Sequence, residues 1–128
     1  MFIIIIDIIL VLVIIGMFVY PRWNLKRNAK IVEEAEFARL MPTSQLIDIR
    51  EPNQFRVSHI LGARNLPSGQ IDQSLNALSK HKPVLIYETG KPVGAAKVAK
   101  KLKKAGIPEV YILKKGLNDW TGKTKSGM

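Results

Sequence analysis

Hydrophobic positions divide the chain into two unlike parts. From Phe2 to Tyr20 only Asp7 and Gly16 fall outside the large apolar class, whereas beyond residue 30 apolar residues come in short clusters between polar ones. The first run has no polar face, and as a helix rising ~1.5 Å per residue it is long enough to cross the ~30 Å hydrocarbon core of a bilayer. It predicts a transmembrane anchor over residues 1–20. No basic residue precedes the run and no small-residue exit follows it, so the marks of a cleaved signal peptide are missing. Asp7 would serve a partner helix or, lying within two turns of the outer end, reach water with its carboxylate, and its position favours the second.

Residues 21–30 read as a basic juxtamembrane linker, with Arg22, Lys26, Arg27 and Lys30, and with Tyr20 and Trp23 at headgroup level. Positive charge on this flank predicts a single-pass protein with its N-terminus outside and its C-terminal domain in the cytoplasm. Residues 31–124 then read as one domain, and residues 125–128 as a tail. Ile31 to Leu40 predicts a short amphipathic helix, Leu46 to Ile49 a buried strand, Glu51 to Val57 a helical turn and Ser68 to Lys80 a helix. Val84 to Tyr87 and Val110 to Leu113 are apolar strands, and Leu117 to Thr121 a terminal helix. Between those strands, Pro92 to Lys104 predicts a helix with Val93, Ala96, Ala99 or Lys100, and Leu102 near one stripe and Gly106 as its stop. Short apolar strands alternating with helices specify an α/β fold in which a parallel sheet is covered on both faces.

Charge and composition narrow the chemistry. The net charge is +10, and the excess is local: Lys80 to Met128 holds 12 lysines and three acids. No aromatic interleaving accompanies these lysines, so nucleic acid is not the expected partner. On a tethered domain they fit anionic lipid headgroups, with the helix over Lys97–Lys104 as the contact. There is no cysteine. Disulfides, thiolate metal sites and a thiol nucleophile are therefore excluded. With only His59 and His81, no metal-ligand cluster forms, and no cofactor motif is present.

Two motifs carry a family resemblance. Asp48-Ile49-Arg50-Glu51-Pro52-Asn53-Gln54-Phe55 is followed by Ser58-His59-Ile60-Leu61-Gly62-Ala63-Arg64-Asn65-Leu66-Pro67, and later by Val110-Tyr111-Ile112-Leu113-Lys114-Lys115-Gly116-Leu117-Asn118-Asp119-Trp120. Their order and spacing resemble the two rhodanese-like signatures, and the chain resembles the small membrane-anchored bacterial proteins of that family. Gln54, Ser58 and Lys115 depart from the usual Glu, Gly and Gly. From the residues alone, Asp48 and Arg50 are a structural ion pair and cap at a strand end. His59 is spaced for the same network, Gly62 and Gly116 mark tight turns, and Trp120 covers the core.

The resemblance implies sulfur-transfer chemistry in the loop after the strand ending at Tyr87, where such enzymes carry a cysteine whose thiolate is held by backbone N–H groups and a helix N-terminus. Here the loop reads Tyr87-Glu88-Thr89-Gly90-Lys91-Pro92-Val93-Gly94. Counted from the strand, Glu88 takes the cysteine position; counted back from Gly90 with the family's spacing, Tyr87 does. No base, general acid or metal ligand set accompanies Glu88 or Thr89 in sequence, and Gly90-Lys91-Pro92 lacks the rest of a phosphate-binding loop. The expected function is a membrane-anchored, catalytically inactive rhodanese-like domain that binds a protein partner or an anionic surface. The alternative is a sulfurtransferase-related enzyme with a non-cysteine nucleophile or a partner-supplied thiol.

Overall fold

Five parallel strands form the centre of the molecule. They are β1 (Lys30–Val32), β2 (Gln45–Asp48), β4 (Arg64–Asn65), β5 (Val84–Tyr87) and β6 (Val110–Leu113), in the spatial order β1-β6-β5-β2-β4. A separate antiparallel pair joins β3 (His59–Ile60) to β7 (Thr124–Lys125). The helices are α1 (Phe2–Asn28), α2 (Glu34–Leu40), α3 (Pro52–Val57), α4 (Ile71–Ser74) and α5 (Ala95–Lys104). A computed structural model describes residues 1–127, the side chains of residues 18–28 excepted.

Alternation along the strands builds two cores. Val84 and Ile86 of β5 join Ile47, Val110 and Ile112 beneath Ala95, Val98, Ala99 and Leu102 of α5. Leu85 and Tyr87 point the other way, with Leu46, Leu113, Ile60 and Phe37 of α2. Both faces of the central strands are thus covered, which is why they read as unbroken apolar runs.

Several expected boundaries move. Ile31 and Val32 are strand rather than helix, because β1 completes the sheet edge against β6, with Ile31 paired to Ile112. The helix predicted over Ser68–Lys80 is a chain of short turns with only Ile71–Ser74 α-helical, and Ile71 and Leu78 alone are buried from it. The predicted terminal helix shrinks to a single 3₁₀ turn at Leu117–Asp119. Helix α5 starts three residues later than predicted, at Ala95, which leaves Val93 outside it and 84% exposed and places Ala95 and Val98 on the buried face. The basic stretch expected as a linker is helical to Asn28, since Lys, Arg and Leu are good helix formers and their charge does not stop a helix. At the other end, the tail is tied in by β7 and by the Gly127 N–H bonding to the Arg56 carbonyl at 2.6 Å.

Among the described residues, no helix is long and apolar enough to cross a membrane. The described apolar side chains run from Phe2 to Met17, about 24 Å of helix at ~1.5 Å per residue. The remainder of the expected span, through Tyr20, lies outside the described side chains.

Candidate functional site

The C-terminal ends of β2 and β5 lie side by side, with Asp48 paired to Tyr87. Asp48 is fully buried. Its carboxylate accepts from the Arg50 backbone N–H at 2.9 Å and from the guanidinium through Nε, at 3.1 Å to each oxygen, and Nη2, at 2.8 Å. The same guanidinium donates to the Ser58 carbonyl at 2.5 Å. Asn65 closes the node, donating through Nδ2 to the carbonyls of Asp48 (3.1 Å) and Arg50 (2.9 Å). Position 58 needs no glycine, because Ser58 is extended at φ −167°. Gln54 accepts from the Glu51 N–H at 3.3 Å and so serves at the start of α3 in place of the usual Glu.

Tyr87 completes this buried polar cluster. Its hydroxyl accepts from the Ile60 N–H at 3.0 Å, and the Arg50 guanidinium lies 5.8 Å from its ring centre. Burial first, then the hydrogen bond to Asp48 and the charge of that carboxylate, push the phenol pKa well above its ordinary value. Tyr87 is therefore a core residue. His59 makes no hydrogen bond to Asp48 or Arg50 among the described residues: its Nδ1 is 2.8 Å from the Phe55 carbonyl, and its ring stacks on Phe55 at 3.7 Å. Trp120 is half-buried and meets Phe37 edge-on at 6.0 Å, so it covers the core from the side of α2.

Glu88 is the first residue beyond β5. Its carboxylate turns back to the start of α5, accepting from the Gly94 N–H (3.0 Å, Oε1) and the Ala95 N–H (3.3 Å, Oε2). Both donors belong to the unpaired amides of a helix N-terminus, where partial positive charge favours an anion. The loop that carries Glu88 is pinned from the other side. The Leu117 N–H donates to the Glu88 carbonyl and the Asn118 N–H to the Thr89 carbonyl, each at 2.9 Å. Gly116 makes this approach possible, for it has φ +68° and a Cβ there would lie 2.5 Å from the Glu88 carbonyl oxygen. Gly62, at φ +91°, turns the chain between β3 and β4.

A cavity of about 290 Å³ opens over this loop, lined by Arg50, Glu51, Gln54, Ser68 and residues 88–91. On the far side of Gly90 and Lys91 a broader groove of about 640 Å³ runs past Ile31, Pro92, Lys114 and Lys115 to Asn118 and Asp119. Lys91 lines both and is exposed, as is Val93 two residues on. Among the described residues no group of three or more His, Asp or Glu side chains is placed to hold a metal ion. The contributions of Asn65, of the Tyr87 hydroxyl and of the Gly94 amide were not singled out in the sequence; for Asn65 the available signal was its place in the motif that also holds Gly62 and Pro67.

The family model of the rhodanese-like domain matches residues 33–123. The chain belongs to the rhodanese-like domain family. The protein YqhL of Bacillus subtilis is 40% identical over 116 residues, which cover 91% of this chain and 88% of that protein. The thiosulfate sulfurtransferase GlpE of Tolumonas auensis is 30% identical across 70% of this chain and 83% of its own. Among solved structures, a rhodanese-like domain protein from Staphylococcus aureus superposes with a TM-score of 0.68 at 22% identity, covering 77% of this chain and 99% of that one. This last likeness speaks to fold. Against this background, the rhodanese-like domain described here has no cysteine anywhere in its chain.

Proposed function

We propose that the protein is a membrane-tethered rhodanese-like module that performs no sulfur transfer and works by binding a protein partner through its loop end. One observation carries the reading. Glu88, the cysteine position when the loop is counted from the strand, sets its carboxylate on the Gly94 and Ala95 amides at a helix N-terminus, which supports its standing in for an anion there. A side chain that is both anionic and covalently attached leaves little for an external thiosulfate to gain there. The tether rests on α1, whose residues Phe2 to Ile15 expose apolar side chains on every side, more than a soluble monomer leaves in water. The basic residues between Arg22 and Lys30 favour a cytoplasmic domain, so protease added to intact cells should leave the domain uncut.

Sulfur chemistry is tested on the full chain in detergent, with thiosulfate and cyanide as substrates. The expected result is no thiocyanate above the uncatalysed rate. The variant Glu88→Cys tests the cradle directly: a thiol on two helix amides should become more acidic than a free cysteine and alkylate faster near neutral pH. Thiocyanate formation by the unaltered chain would instead favour the alternative, an enzyme with a non-cysteine nucleophile. Formation only after a thiol-bearing membrane extract is added would favour a partner-supplied thiol.

A further inference from the structure

Because the five central strands are parallel, their N-terminal ends share one edge of the sheet, opposite the Glu88 loop. The chain enters the domain at this edge. Only Ala29, which packs on the core, separates the end of α1 at Asn28 from Lys30 at the start of β1. Helix α5 lies between β5 and β6 in sequence and crosses back to the same edge, so its last residues, Lys103 and Lys104, arrive there too. The turn ahead of β5 adds Lys80 and Lys82. That turn is fixed in place: the Gln45 Nε2 donates to the Ser79 carbonyl at 2.8 Å and the Lys82 carbonyl at 3.3 Å, and its Oε1 accepts from the Ser79 N–H at 2.7 Å. Lys103 is held over the neighbouring turn by donating to the Pro108 carbonyl at 2.6 Å. A Cβ on Gly106 would lie 3.6 Å from the Lys80 Cδ, which brings the two turns side by side.

Lys30, Lys80, Lys82, Lys103 and Lys104 therefore form a cationic rim around the point of entry, and among the described residues none of them has a carboxylate partner. Glu109, the acid that stands among them, already accepts from the Tyr111 hydroxyl at 2.8 Å. Lys101 in the middle of the helix is different, being engaged by Asp72 at 3.0 Å. Pairing with Asp72 thus occupies one lysine of the helix, while the lysines of the rim keep their charge uncompensated among the described residues.

We infer that this rim docks on the headgroups of an anionic phospholipid bilayer, holding the sheet end-on to the membrane so that the Glu88 loop projects away from it. The inference rests on the tether reading. With one residue between helix and strand, whatever surface receives α1 must lie beside this edge, and the five lysines gathered there make it cationic. Among the described residues, Tyr111 beside the rim is half-buried and so offers little ring face to a nucleobase, and a lipid surface suits the rim better than RNA.

The test uses the full chain reconstituted in vesicles of phosphatidylcholine alone or with phosphatidylglycerol, with flotation as one readout and lysine acylation rates, resolved by mass spectrometry, as the other. In the anionic vesicles Lys30, Lys80, Lys82, Lys103 and Lys104 should acylate at least about fivefold more slowly than in neutral ones, the ratio given by one basic residue's attraction to anionic lipid. Lys91, Lys114 and Lys115 at the loop end should be unchanged, and high salt should remove the protection without releasing the chain. The double variant Lys80→Glu, Lys82→Glu should float normally yet lose protection at Lys103 and Lys104. Flotation with equal rim labelling in both vesicles would overturn the docking while leaving the tether intact. Failure to float with either would overturn the tether and the docking with it. Equal protection by single-stranded RNA added to neutral vesicles would assign the rim to nucleic acid and overturn the lipid assignment.

Discussion

Asp48 and Glu88 stand at the ends of neighbouring strands, β2 and β5, and each places a carboxylate among N–H donors. Asp48 is fully buried and is satisfied by a guanidinium and a backbone amide only two residues away. Glu88 is half-buried beside a cavity, and its partners are two helix amides contributed six and seven residues downstream. The first is an ion pair on which strand, turn and β3 converge. The second is a side chain set into a place that could equally receive something else. Charge at a strand end therefore does two different jobs in this fold, and the difference lies in how deeply and by what each carboxylate is held.

Removing Arg50 should have the largest effect. Its side chain is 8% exposed and Asp48 not at all, so Arg50→Met leaves a buried carboxylate without its counter-charge and the Ser58 carbonyl without its donor. Breaking one side of such a pair costs about 3–5 kcal/mol. A denaturant melt of the full chain in detergent should show a loss of that size, and a loss below about 1 kcal/mol would mean that water replaces the guanidinium.

Gly116→Ala strikes the other site. A side chain at φ +68° alone costs about 1–3 kcal/mol, and here the new methyl would also meet the Glu88 carbonyl at 2.5 Å and the Gly90 carbonyl at 2.6 Å. The loop must then move, so the variant should be destabilised. It should also lose amide-exchange protection at Leu117 and Asn118, whose N–H groups bond to that loop.

Tyr87 links the two carboxylates, and its variant separates them. Tyr87→Phe leaves the buried Ile60 N–H unpaired, at a cost of about 1–3 kcal/mol. It should also change the response to alkali. The folded state holds the Tyr87 proton above the ordinary value of 10.0, so this contribution to stability is complete below that pH and is lost as pH rises beyond it. Tyr87→Phe should flatten the alkaline fall. Tyr111 is raised as well, first by its hydrogen bond to Glu109, but it is only half-buried; Tyr111→Phe should therefore leave most of the slope in place.

What the sequence made legible follows the same division. Val84–Tyr87 and Val110–Leu113 were readable to the residue because strands buried on both faces carry continuous apolar runs. Asp48 and Arg50 were readable as a structural pair because they flank a strand end at a spacing of two. Ile31 and Val32 were not, since three residues of an edge strand joined to Glu34–Leu40 mimic helical spacing, and only the pairing with β6 separates them. The two-residue strands β3, β4 and β7 carry too little pattern to register. The choice between Tyr87 and Glu88 could not be made from spacing, because counting from the strand end and counting back from Gly90 give different residues. Burial of Tyr87 and the turn of Glu88 toward α5 decide which side chain faces the loop, and both depend on contacts distant in sequence.

Glu88→Gln should have the smallest effect of the set and bears most directly on function. The amide keeps an acceptor for the Gly94 N–H and keeps the size of the side chain, so what disappears is the negative charge at the start of a ten-residue helix. Such a charge contributes about 0.3–1 kcal/mol where it is partly exposed, less than either the buried pair or the backbone clash. The distinguishing measurement is therefore the response to added anion rather than the size of the loss. If Glu88 fills a cradle that suits an anion, sulfate should stabilise Glu88→Gln more than the unaltered chain, since only in the variant are the amides of Gly94 and Ala95 without a charged partner. Sodium chloride at equal ionic strength controls for general salt effects. Identical sulfate responses in the two proteins would show that the carboxylate caps the helix without standing in for a ligand, and would make Glu88 as purely structural as Asp48.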